Sequence, residues 1–463
     1  MASLFIFRTD YRLKDNTSLI ECCKNNDKVY PIFIFTPEQI DSDKNKFKSD
    51  NAVQILVESL LELNDEIKSE EGKLNIYYGD VIKVLNEILK KLKVKNIYFN
   101  KDYTPYSKKR DNLIQKFCKD NEIDLITLDD MLLYDTGLIK TKTGDPHTIF
   151  GFYLKEAKKI KIQKPQSVRK YNFSKSGIKT KYSINTKKMD DFYEYNKNLP
   201  VNGGRKNALK ILSSLDKFKS YDKTRDFPII GNTFLSSLIR FGVVSLRECY
   251  WKFRDTLGVN SGLVTQLYWN SFYTELGNNF PNMYKDNYLR DEFKDIKWSK
   301  DKKLFNAWKD GKTGFPLSDA GMREMNSTGF MHNRVRMVSA TLLSRVLLLD
   351  WRMGEQYFSK KLLDHNRSNN EGNWFWVVGT ANHSQVYFRI MSEWSQIKRF
   401  DKDCEYIKKW IPELKEVPNK DILKWNQTYK NYEVNYPGPI VDDKKNREES
   451  INRYKKSKDK DKN

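Results

Sequence analysis

Tryptophan is absent from the N-terminal half: all ten lie at or after Trp251 in a chain of 463 residues. A generic core does not require such segregation, so something aromatic or redox-active is expected in the second half. Cysteine and histidine are also scarce. Cys22, Cys23, Cys118, Cys249 and Cys404 form no C-x-x-C pair, and only four histidines could help them hold a metal, which excludes a structural metal and suits a reducing compartment. No apolar run approaches the about 20 residues of a membrane span. Met1–Phe7 runs straight into Arg8, Asp10 and Arg12 without a cleavage site, so it reads as a buried strand rather than a leader. Neither G-x-G-x-x-G nor G-x-x-x-x-G-K-[ST] occurs, and ordinary dinucleotide or nucleoside triphosphate binding loses support.

Positive charge is abundant. Lys and Arg number 83 against 61 Asp and Glu, a net +22 that implies a polyanionic partner, nucleic acid first. With 13% aromatic and 39% hydrophobic residues the chain is too apolar for disorder, and its length suits two domains. β-rich runs at Leu4–Phe7, Val29–Phe35, Leu74–Tyr78, Asn96–Phe99 and Ile123–Leu128 alternate with helical runs, which predicts a Rossmann-like, doubly wound parallel α/β domain over residues 1–130. Val53, Leu56, Val57, Leu60 and Leu61 mark the apolar face of one of its helices, with Asp50 as the cap. A basic interdomain linker covers 131–204, where Lys155–Lys188 holds twelve Lys or Arg against the single acid Glu156. Residues 205–430 form an all-α domain that includes a nearly buried helix over Arg336–Asp350, and 431–463 a charged tail that is either a fraying helix or disorder.

Three strings in the helical part concentrate unusual residues. The first holds Tyr221 to Pro228, Asn232 to Ser237 and Ser245-Leu246-Arg247, where hydroxyls, an amide, Arg225 and Arg247 precede helices and serve either as phosphate ligands or as plain N-caps. The second runs from Trp308 through Asp319 to Met337. The third runs from Asp350-Trp351 through Asp364 and Asn369-Asn370 to Trp374-Phe375-Trp376, and ends at Tyr387-Phe388-Arg389-Ile390.

Together these strings resemble the FAD-binding domain of the cryptochrome/photolyase family, and class I cyclobutane pyrimidine dimer photolyases most closely. Phe5 to Asn16 resembles the family's opening strand and loop, and Tyr436 to Val441 its C-terminal segment. The resemblance implies a light-driven repair enzyme, a carbon–carbon lyase in which excited reduced FAD passes an electron to a pyrimidine dimer flipped out of DNA. Tyr221, Arg225, Asn232, Thr233, Leu235, Ser236 and Asn366 are then the cofactor-binding residues, with Asn232 standing where the family usually has Thr. Arg336 and Asp364 are the ion pair beside the isoalloxazine, and Asn370 faces flavin N5. Trp374, Trp351 and Trp298 form an electron-transfer chain. Gln266, Trp269, Asn333, Arg334, Met337 and Trp376 hold the dimer, the two indoles sandwiching it, and Gln266, Asn333, Met337 and Asn370 act catalytically. His332, His365 and His383 read as structural. Asn100 with Lys101 stands near the loop where folate-binding members make contact, and a second antenna chromophore of folate or flavin type is compatible with the α/β pattern. The implied protein is a monomer that binds damaged DNA and no membrane, in a cytoplasmic or nuclear compartment.

Two departures bear on the activity. Gln266 and Asn270-Ser271 stand where dimer photolyases carry Glu and Arg-Glu. Glutamine at 266 also occurs in six-four photolyases, but those need a histidine pair where this chain has Asn333 and Met337. The rival readings are a cryptochrome photoreceptor and a DASH-type enzyme restricted to single strands.

Overall fold

β1 (Ala2–Phe7), β2 (Val29–Phe35), β3 (Asn75–Tyr78), β4 (Val94–Asn100) and β5 (Asp124–Leu128) pair in parallel in the order β3-β2-β1-β4-β5. All five expected strands form, within a few residues of their expected bounds. The computed structural model describes residues 2–285, 290–381 and 390–460; His383 and Tyr387-Phe388-Arg389 lie outside them.

Alternation along β1 and β2 separates the two faces of the sheet. Leu4, Ile6, Ile32 and Ile34 pack with Val84, Ile88, Ile114 and Phe117 under helices Val81–Leu89 and Pro105–Asp120. Phe5, Phe7, Phe33 and Phe35 face the other way, into a core that continues through the helical part as far as Trp308, Trp351 and Trp425. On that face lies the helix Asp50–Ser69, with Val53, Leu56, Val57 and Leu60 buried as expected. Its cap is Ser49, whose side chain accepts from the Ala52 amide, and Asp50 is the first helical residue.

The expected linker is more firmly held than a solvated connector. Its lysines point outward, but Ile162, Phe173, Met189 and Phe192 enter the main core, and the strand end at Val29 exchanges backbone hydrogen bonds with Asn172 (2.8 Å) and Ser174 (2.8 Å). Helix Phe150–Ala157 belongs to this segment.

A buried ionic network joins the sheet to the helical part. Arg12 donates to Asp130 (2.5 Å), to the Asp15 carbonyl (2.7 Å) and to the Gly242 carbonyl (3.0 Å). Arg247, at the start of helix Leu246–Leu257, donates to the other Asp130 oxygen (3.0 Å) and to Asp15 (2.9 Å). Burial alone would raise the Asp130 pKa, but the two guanidinium groups and the Thr17 donors bring it down to about 2. Gly242 (φ +62°) lies against the opening loop, where a Cβ would sit 2.1 Å from the Thr9 carbonyl oxygen.

Two expectations about the helical part need correction. Arg336–Asp350 is not one helix: Asn333–Thr341 gives way to a π-helical turn at Leu342–Val346, Leu348 takes a left-handed φ of 55°, and Asp350 caps a new helix, Trp351–Lys361. Asp350 accepting from the Arg352 amide (3.1 Å) explains the restart. The tail, expected to fray or to be disordered, is helical over Asp443–Lys460 and docked. Tyr454 is buried against Phe293 and donates to the Val378 carbonyl (2.7 Å), which fixes an otherwise highly charged segment.

Candidate active site

Three helices of the second half turn one stripe each toward a cavity of about 670 Å³. Gly262–Asn279 contributes Gln266, Trp269, Asn270 and Tyr273; Asn333–Thr341 contributes Asn333, Arg336, Met337 and Ala340; Arg367–Val378 contributes Asn369, Asn370, Asn373, Trp374, Trp376 and Val377. Spacings of three and four residues place each set on one helical face. The loop before helix Leu235–Arg240 adds Asn232, Thr233 and Phe234, and Tyr221 and Arg225 close one end. Thr9, Arg12, Asp130 and Met131 also line it, so the loops that follow β1 and β5 contribute to its wall.

Near the helix Leu235–Arg240 the cavity is polar and charged. Arg336 donates to both oxygens of Asp364 (3.1 Å each) and to the Met331 carbonyl (2.7 Å), and Ser236 donates to the same carboxylate (2.8 Å). Asn366 caps helix Arg367–Val378 by accepting from the Asn369 amide (3.1 Å), and Thr233 accepts from the Leu235 amide (3.3 Å). Asn369 Oδ1 and His365 Nε2, both on residues lining the cavity, are buried with no hydrogen-bond partner among the described residues. Such groups call for a ligand carrying donors and acceptors of its own.

Asn370 lines the cavity, and its amide nitrogen donates to the Glu355 side chain (2.9 Å) and carbonyl (3.3 Å). Its carbonyl oxygen is then the group left to face a ligand. Glu355 was not singled out from the sequence. The available signal was its place at i+4 from Trp351 and three before Phe358, on the buried stripe of its helix.

Sixteen of the predicted site residues line the cavity: Tyr221, Arg225, Asn232, Thr233, Leu235, Ser236, Gln266, Trp269, Asn333, Arg336, Met337, Asp364, Asn366, Asn370, Trp374 and Trp376. Asn333 and Met337 meet directly (Nδ2 to Sδ 3.7 Å). Arg334 does not line the cavity: its guanidinium pairs with Asp226 (2.8 Å) and lies over Phe400. Arg247, read from the sequence as a candidate phosphate ligand, is taken up by Asp15 and Asp130. Trp351 and Trp298 do not line the cavity: Trp351 is buried on Phe375 (ring centroids 5.0 Å) and Trp298 is half-buried, edge-on to Tyr454 (6.2 Å). In the loop expected to contact folate, Asn100 is buried and bonded to Asp10, Asn16 and Ser18, while Lys101 pairs with Asp129 (2.9 Å).

His332 caps helix Asn333–Thr341 by accepting from the Arg334 amide (3.1 Å). Burial, with Arg336 nearby, pushes its pKa from 6.5 down to about 4. A group depressed in the folded state contributes stability above its unfolded pKa that is lost as pH falls. Asparagine can keep the cap without titrating, so His332→Asn should resist acid better. Across the window from pH 6.5 to about 4 the wild type should lose up to about 3 kcal/mol relative to the variant, read from urea unfolding midpoints. Parallel pH profiles would show that the imidazole is charged in the folded protein.

Residues 263–456 match the family model described as the FAD binding domain of DNA photolyase, and residues 3–169 match that of DNA photolyase. The deoxyribodipyrimidine photo-lyase of Buchnera aphidicola subsp. Acyrthosiphon pisum is 34% identical, the alignment covering 98% of this chain and 97% of that protein. Among solved structures, an archaeal photolyase from Sulfolobus tokodaii with two FAD molecules superposes with a TM-score of 0.87 at 36% identity, covering 98% of this chain and 100% of that one. A bacterial class III photolyase from Agrobacterium tumefaciens superposes with a TM-score of 0.89 at 26% identity, covering 99% and 98%.

Proposed function

Because the chain belongs to the cryptochrome/photolyase family, we propose that it is a deoxyribodipyrimidine photo-lyase, a light-driven enzyme that repairs cyclobutane pyrimidine dimers in DNA. The observation that carries this reading is that the residues expected to hold a flavin and those expected to hold a flipped dimer open into one and the same cavity. FAD suits its chemistry: Arg225, Asn232 and Thr233 offer donors for phosphates and ribose, Ser236 a hydroxyl oxygen that accepts, and the Arg336–Asp364 pair with Asn370 a charged and amide edge for a flavin ring. Bound in its reduced form, FAD supplies the light-excited electron that splits the dimer.

The protein's own residues provide the surroundings. Glu355 orients Asn370 so that its carbonyl oxygen accepts a hydrogen bond from the cofactor edge. Trp269 and Trp376 replace the stacking that the flipped bases lose, worth on the order of 1–3 kcal/mol per base. Gln266 both donates and accepts toward the bases but cannot protonate them. Trp374 on the cavity wall, buried Trp351 and half-exposed Trp298 relay an electron inward from the surface. The basic surface holds phosphates without reading sequence. A second antenna chromophore, flavin or folate, accompanies this reading, supported by the second FAD of the Sulfolobus tokodaii relative.

Irradiated oligothymidylate mixed with photoreduced protein should recover the thymine absorbance band in blue light and not in the dark. Normal flavin loading and photoreduction without recovery would assign the chain to photoreception instead.

A further inference from the structure

We propose that the turn Ile149–Phe152 is an additional part of the DNA interface, in which Phe150 fixes Trp269 and Phe152 packs on the bases beside the flipped dimer. The proposal rests on the photolyase reading of the cavity. Phe150 stacks face to face on Trp269, with ring centroids 3.5 Å apart and planes at 9°, and meets Phe272 edge-on at 5.6 Å. Trp269 lines the cavity and Phe150 does not. One face of the indole is therefore occupied by a protein ring, and a base arriving from the cavity meets a platform already held in place.

The same helix explains why this turn also has an outer side. Phe150 and Tyr153 anchor it to helix Gly262–Asn279, Tyr153 packing on Phe272 at 5.2 Å. Helical geometry then turns Phe152 outward, 61% exposed, with Ile149 49% exposed beside it. Lys155 and Lys158 follow, both exposed, and Lys161 and Lys164 continue the basic stretch. An apolar tip bordered by cations suits a partner with apolar faces between phosphates, which is what DNA bases offer where flipping has opened the stack.

The test uses the full-length, flavin-loaded protein and an oligonucleotide carrying one thymine dimer, with its undamaged counterpart as control. Phe152→Ala should weaken binding to the dimer oligonucleotide about tenfold without changing FAD content or the light-driven rate of the bound complex. Phe150→Ala should act similarly through Trp269, Phe150→Tyr should restore affinity, and Phe150→Leu, which fills space without stacking, should not. Binding by Phe152→Ala within about twofold of wild type would overturn the proposal. So would a change in its sedimentation, which would mark the tip as a contact between copies of the chain. If wild type prefers dimer DNA and Trp376→Ala loses that preference while Phe152→Ala keeps it, the proposal falls alone; if wild type shows no preference, the photolyase reading falls with it.

Discussion

Asp130→Ala should lower the stability of the folded chain by about 3–5 kcal/mol, the usual cost of removing one partner from a buried ion pair. The side chain accepts from Arg12, Arg247 and Thr17 at once, and the two guanidinium groups are almost wholly buried. Alanine would leave both with charge and too few acceptors, where water cannot readily compensate. Asp130→Asn keeps the shape and one acceptor, so it should fall between alanine and wild type. Urea unfolding midpoints at neutral pH measure both. A loss under about 1 kcal/mol for alanine would mean that Arg12 and Arg247 re-pair with Asp15 and the loop carbonyls.

Asp364→Ala should cost the protein its flavin rather than its fold. The carboxylate accepts both hydrogen bonds from Arg336 Nη2 and one from Ser236, and all three residues line the cavity. Freed of Asp364, Arg336 leaves an uncompensated charge in the wall and Ser236 loses its orientation. A loss of about 3 kcal/mol, roughly 100-fold in Kd for FAD, is expected from such a truncation. Flavin absorbance after gel filtration and a fluorescence titration with FAD would measure it. Full flavin occupancy in the variant would show that the ion pair supports the helices and not the cofactor.

The strands were legible because runs such as Val29–Phe35 are, Pro31 apart, β-branched or aromatic over a length too short for a helix. The helical stripes were legible only as ordered strings: Asn333 with Met337, or Trp374 with Trp376, carry no local sign that they share a cavity, and the family resemblance supplied that grouping. Long-range pairing stayed hidden. Arg334 finds Asp226, Arg247 finds Asp15 and Asp130, and Asn370 finds Glu355, and no property of an isolated arginine or amide names its partner. The break at Leu342–Leu348 escaped because every residue in it is buried, Ser344 and Arg345 included, so periodicity could not distinguish a continuous helix from a turn buried on all sides. Likewise the composition of the C-terminal segment suggested a fraying helix or disorder, whereas Tyr454 packs against Phe293 and Ile296 and Asn446, Arg453 and Ser457 donate to carbonyls of the helical part.

The network around Asp130 also sets an order in time. During synthesis, at about 5–20 residues per second, the sheet can assemble once β5 has emerged. At that stage Arg12 is able to pair with Asp130, while Asp15 and the second Asp130 oxygen must wait for Arg247, more than a hundred residues later in the chain. For those seconds the Phe5–Phe7–Phe33–Phe35 face has the helix Asp50–Ser69 on it but not the helical half that completes its core. The nascent chain therefore holds an incompletely covered aromatic face beside Asp15, which still lacks its Arg247 partner, and this interval is when it is most open to mispairing.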